Sequence, residues 1–107
     1  MNKYTELSDF EVNKKVAEKL GLAYEVTRYG VVTRMSNKEQ WREFNPCNNP
    51  ADVMPIIIEN KIGLSPMYYS NKWTADCLDY DFISVNKNPL RAAMEVFLMM
   101  KDTENNQ

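Results

Sequence analysis

Apolar residues recur every fourth position at Val12, Val16 and Leu20, with Ala17 beside them, while Glu11, Asn13, Lys14, Lys15, Glu18 and Lys19 fill the positions between. That spacing predicts an amphipathic helix over residues 9–20. Ser8 and Glu11 have the spacing of a capping box, in which each side chain satisfies one backbone N–H of the first turn. Leu7 and Val12 are placed as the hydrophobic staple around it. Gly21 follows where a left-handed terminating residue belongs.

The pattern then changes. Residues 23–28 and 31–35 are rich in Tyr, Val and Thr and flank Tyr29-Gly30, which predicts two strands joined by a tight turn. Residues 36–49 are polar and loop-like, interrupted by Trp41 and Phe44. A second, mostly buried helix carries Val53, Met54, Ile56, Ile57 and Ile58 and ends at Gly63. Asn49 can cap it with Pro50 first, but Pro55 would then fall in its interior and remove a hydrogen bond. A start at Asp52, with Pro55 in the first turn, avoids the conflict and is the expected one.

Residues 66–85 are strand territory: 67–69, 73–78 and 82–85 are separated by Ser70-Asn71-Lys72 and Asp79-Tyr80-Asp81. Trp73, Ala75 and Cys77 alternate with Thr74 and Asp76, the period of a half-buried strand. The last helix starts at Asn88-Pro89, and from Leu90 to Met100 only Arg91 and Glu95 are charged. A helix apolar nearly all round must be covered on several sides, either as the central packing helix or by a second copy of the chain. The expected fold is therefore α+β: a mixed or antiparallel sheet of about four to five strands packed with three helices. One domain over residues 1–101 and a flexible polar tail at 102–107 fit a chain of 107 residues.

Composition narrows the function classes. A content of 44% hydrophobic and 26% charged residues suits a packed core, and no apolar run reaches the roughly 20 residues that cross a bilayer. The opening residues lack the apolar stretch of a signal peptide. Cys47 and Cys77 match no metal or redox spacing, and reduced thiols in a cytoplasmic protein are expected. A net charge of −2 argues against a strong non-specific grip on nucleic acid. Residues 1–42 hold eight Lys/Arg and six Asp/Glu, a local +2; residues 43–107 hold five and nine, a local −4.

The chain has no histidine, which removes the commonest general base and the His-paired nucleophiles and zinc sites. Three glycines, far apart, cannot make a phosphate loop. Asp76, Asp79 and Asp81 could hold a hard metal only if their oxygens converged, and a strand-to-strand turn at Asp79 and Asp81 is the simpler account. Cys47 precedes a helix that could lower its pKa, but without a base beside it a small buried residue is expected. The sequence thus predicts a protein without enzymatic activity, cofactor or metal. Exposed aromatics are the remaining candidates: Trp41, Tyr68, Tyr69 and Trp73 could anchor a protein partner. Tyr68, Tyr69, Trp73, Tyr80 and Phe82 with Lys72 and Lys87 could instead stack single-stranded nucleic acid. Cross-strand packing yields the same pattern, and the three aspartates in that stretch disfavour a phosphate-binding surface.

Three segments, Leu7-Ser8-Asp9-Phe10-Glu11-Val12-Asn13-Lys14-Lys15-Val16-Ala17-Glu18, Phe44-Asn45-Pro46-Cys47-Asn48-Asn49-Pro50-Ala51-Asp52 and Asn88-Pro89-Leu90-Arg91-Ala92-Ala93-Met94, taken together resemble the NinX-like family of small proteins of tailed bacteriophages and enteric prophages. The resemblance spans nearly the whole chain. It implies a phage or prophage origin and expression in the bacterial cytoplasm, near genes for replication, recombination and late regulation. It carries over no catalytic residue. The expectation is an accessory protein that binds a host or phage protein, with homodimerisation through the last helix as a further possibility. Direct contact with nucleic acid is the alternative, and an enzyme built on Asp76, Asp79 or Cys47 is the third reading.

Overall fold

The computed structural model describes residues 2–78 and 81–105, the side chain of Asn105 excepted. Its elements are α1 (Asp9–Lys19), β1 (Ala23–Thr27), β2 (Gly30–Arg34), β3 (Arg42–Glu43), α2 (Pro50–Asn60), β4 (Ile62–Pro66), β5 (Trp73–Cys77), β6 (Ile83–Asn86) and α3 (Pro89–Asn105). The fold is α+β, as expected. In place of one sheet of four to five strands there are two antiparallel sheets of three, ordered β1-β2-β3 and β4-β5-β6. One strand that sequence reasoning missed is β3. It is two residues long, too short to show any alternation, and it is defined only by its pairing of Glu43 and Arg42 with Val32 and Thr33.

Helix α3 organises the layers. It packs on all three strands of the second sheet and on both other helices, while α1 packs on β1 and β2. The two helices lie back to back with a sheet beyond each. This arrangement explains the composition of α3: every residue from Arg91 to Leu98 is buried within this one chain. Of the two ways of covering such a helix, the chain itself supplies the first, central packing. The helix also continues past residue 101 through Asp102–Asn105, where composition suggested the start of a loose tail. Asp102 is pinned there, accepting the Tyr4 hydroxyl and lying 3.4 Å from Lys3 Nζ and 3.7 Å from Lys19 Nζ. Asn106 and Gln107 lie outside the described residues.

Local chemistry sets the element ends. The Ser8 hydroxyl accepts the Glu11 N–H, and the Glu11 carboxylate accepts the Ser8 N–H, each at 3.1 Å, so the capping box closes as predicted. Gly21 takes φ +72° just beyond α1. Helix α2 starts at Pro50 rather than near Asp52. Asn49 Oδ1 accepts the Ala51 N–H at 3.0 Å, and the Asp52 carboxylate turns back to accept the Asn45 N–H at 2.9 Å. Pro55 is tolerated inside the helix because it and Ala51, whose carbonyl loses its usual donor, are both solvent-exposed. Val53, Ile56 and Ile57 face the core; Met54 and Ile58, expected inside, share the opposite face and are exposed.

Two further expectations are corrected along β4. Gly63 does not end α2: Lys61 does so, in the left-handed conformation at φ 54°, and Gly63 lies in the strand opposite Asp76. A Cβ on Gly63 would meet Asp76 Oδ1, the free end of an exposed side chain that can turn aside. Met67-Tyr68-Tyr69 is not a strand. The strand is Ile62–Pro66, and residues 67–72 form its connection to β5, closed by the Met67 N–H donating to the Lys72 carbonyl at 3.0 Å. Tyrosine favours strands only when it has a pleated surface to pack on, and here there is none. The Asp79-Tyr80-Asp81 turn cannot be compared, since Asp79 and Tyr80 lie outside the described residues.

Lys61 supplies a test. A non-glycine residue at positive φ carries a steric cost that glycine avoids. Relief of about 1–2 kcal/mol of left-handed strain, offset by about 0.4–1 kcal/mol of extra unfolded-chain entropy, makes Lys61→Gly modestly stabilising, read as a rise in the urea midpoint with unchanged slope. A fall in the midpoint would show that Lys61 contributes more than its backbone angle.

Candidate functional site

The buried charges sit together. Arg91, 5% exposed, donates from Nε to Glu95 Oε2 at 2.8 Å and from Nη1 to Asp9 Oδ1 at 2.6 Å. Its Nη2 donates to the backbone carbonyls of Tyr4 and Leu7 at 2.8 and 2.7 Å. Glu95, with no exposed surface, accepts on Oε1 from the Ser84 hydroxyl and from Asn2 Nδ2, the latter at 2.8 Å. The three anchors are one helical turn of α3, the start of α1 and strand β6. Between them they hold the N-terminal segment against the core.

A second network adjoins the first and is built from asparagines. Asn13, on the inner face of α1, donates to Asn45 Oδ1 at 2.8 Å and accepts the Cys47 N–H at 3.1 Å. Asn88 caps α3 by accepting the Leu90 N–H at 2.9 Å, and its Nδ2 donates to the Cys47 carbonyl at 2.6 Å. Asn48 Nδ2 closes the ring on Asp9 Oδ2 at 3.1 Å. The three sequence segments that carry the family resemblance therefore meet at one point in space. A shallow pocket of about 140 Å³ opens beside them, lined by Asp9, Phe10, Asn13, Asn45 and Asn48 among others. Its polar groups are largely taken up with one another, which is the chemistry of a structural junction.

Sequence reasoning did not single out this junction. A signal was present: two opposite charges four apart in an otherwise apolar helix must face inward as a pair, because a buried charge needs a partner. Cys47 lies inside the junction, fully buried. Burial, followed by the Asp9 carboxylate, pushes its thiol up to about 12, against the opposing pull of Arg91. A thiol so disposed is a packing group rather than a nucleophile. Burial and the hydrogen bond to Asp102 likewise raise the Tyr4 phenol far above its ordinary value. For Asp102 burial works against ionisation, but the Tyr4 hydroxyl and the ammonium groups of Lys3 and Lys19 outweigh it and lower the pKa.

The four aromatic candidates divide. Trp41 is half-buried on the first sheet, with the Arg34 guanidinium stacked 4.3 Å from its ring centroid. The stack covers Arg34 Nε, which is buried without a hydrogen-bond partner. The other three share one end of the β4–β5 hairpin. Trp73, half-buried, pairs with Pro66 on one side and Asn86 on the other. Tyr68 and Tyr69 stand in the connecting turn, 86% and 97% exposed, with ring centroids 4.9 Å apart in an edge-to-face pair. Asp76 is not beside them; it faces Ile83 and Gly63, three residues further along β5.

Fold and junction together define a small two-sheet α+β domain locked by a buried ionic and asparagine network. Among the described residues no helix is long and apolar enough to cross a membrane. The family model described as "Bacteriophage P22, NinX" matches residues 3–101, and the chain belongs to that family. Comparison with curated proteins gives no match.

Two outcomes follow from the junction. Arg91→Met strands Glu95 in the core and is expected to cost about 3–5 kcal/mol, whereas Arg91→Met with Glu95→Leu costs distinctly less; urea unfolding separates the two, and equal losses would refute the pairing. Cys47 should resist iodoacetamide in the native protein at pH 8 and react at the ordinary rate in urea. Rapid native labelling at Cys47 would contradict its burial.

Proposed function

We propose that this phage-family protein is a non-enzymatic accessory factor of the bacterial cytoplasm that binds a host or phage protein through the β4–β5 hairpin end. The observation that carries the reading is the near-complete exposure of two adjacent tyrosines. Neither ring contributes to the core, and the fold gives no reason for large apolar surfaces at that turn. Tyrosine is among the residues that dominate binding energy at protein interfaces, because it brings a large, stiff contact area with a polar tip. The half-buried Trp73 behind the turn supplies a firm base for it.

A second reading, direct contact with nucleic acid, draws on the same rings with Lys72 and Lys87 nearby, since bases stack on exposed aromatics. The net charge of −2 counts against it.

Affinity capture of the tagged protein from bacterial extract, with and without nuclease, decides between them. The expected result is a protein recovered under both conditions and lost from Tyr68→Ser/Tyr69→Ser. That double variant should unfold within about 0.5 kcal/mol of the parent, as surface substitutions do. Recovery undiminished in the double variant would remove the site. Recovery abolished by nuclease would favour nucleic acid.

A further inference from the structure

The charges around the tyrosines are one-sided. Residues 62–75 and 82–94 contain no Asp or Glu, in a chain whose Asp and Glu outnumber its Lys and Arg by 15 to 13. The β5–β6 ladder has Trp73 opposite Asn86 as its last pair, so Lys72 and Lys87, each one residue beyond it, lie at the same end of the sheet. The Met67–Lys72 hydrogen bond sets Lys72 against the base of the tyrosine turn. Both lysines are exposed, and neither is in an ion pair among the described residues. The sheet register thus gathers two rings and two uncompensated cations at one end. It keeps Asp76 roughly 10 Å down the strand, at about 3.3 Å per residue.

We infer that this end of the second sheet docks an acidic, extended segment of the partner protein, with carboxylates on Lys72 and Lys87 and an apolar side chain against Tyr68 and Tyr69. The inference rests on the protein-binding reading above and names the chemistry of the bound segment. Charge complementarity selects the occupant. Two cations match two or three carboxylates of a peptide. A nucleic-acid strand needs a longer cationic track along its phosphates, and a net-negative protein would repel it at long range.

The test uses the full chain in nuclease-treated extract with a carbodiimide, which joins an amine to a carboxylate in direct contact and adds no spacer. Cross-linked peptides are then identified by mass spectrometry. Links from Lys72 or Lys87 to Asp or Glu of a recovered protein are expected. Lys72→Glu/Lys87→Glu should lower recovery of that protein at least about tenfold, because like charges brought together at an interface are strongly disfavoured. Recovery that depends on the tyrosines but survives the charge reversal, with no link at either lysine, would overturn the acidic segment and leave protein binding standing. Absence of any recovered protein would overturn both. Lysine-dependent binding of a labelled oligothymidine of about 15 nucleotides, read by anisotropy, would reassign the patch to nucleic acid.

Discussion

One guanidinium decides how this chain closes. Arg91 is almost fully enclosed, and a charge moved from water into a protein interior costs several kcal/mol before it finds partners. The site recovers that cost only by directing Arg91's donors at fixed acceptors: Glu95, Asp9 and the carbonyls of Tyr4 and Leu7. The planar fork of arginine suits the task, where the single ammonium of lysine could not reach acceptors on three sides. Apolar contacts would hold α1 against α3 in many similar arrangements. The guanidinium selects the one in which the first turn of α1 and the segment before it lie across the start of α3.

The asparagine ring extends this constraint to the second helix. Asn residues favour helix caps and turns because their side chains imitate backbone groups. Here Asn49 and Asn88 cap helices while Asn13, Asn45 and Asn48 bridge between segments. Polar residues are usually placed at the surface, so several of the residues that fix the topology looked like loop filler in the sequence. The neighbouring Arg34–Trp41 stack plays a smaller part of the same kind, fastening the segment before β3 to β2.

Local rules written into adjacent residues were legible; choices settled at a distance were not. The capping box at Ser8, the left-handed Gly21 and the Asn88-Pro89 start are all readable within a few residues, and all are present. Pro55 was misjudged because its cost depends on whether the Ala51 carbonyl faces solvent, which no local pattern reveals. Strand β4 was hidden by Gly63 and Pro66, both poor strand residues, and the neighbouring tyrosines drew the strand assignment to themselves. The division into two sheets depends on α1 and α3 meeting back to back. At the candidate site the aromatics were visible from the start. What sequence could not supply was the register that separates them from Asp76 and sets two lysines beside them.

The position of the core helix also bears on how the protein is made. A chain leaves the ribosome in order, and α3 follows every other described element. Until it emerges, the second sheet, α1 and α2 lack the surface they are to pack against, and Asn2, Tyr4 and Leu7 wait for contacts more than eighty residues away. Folding of this domain thus waits for α3, and a chain interrupted shortly before residue 89 would carry bare apolar faces, open to proteolysis. For this architecture translation through α3 is itself a quality check: a chain that stops short of that helix does not pass as a nearly folded domain.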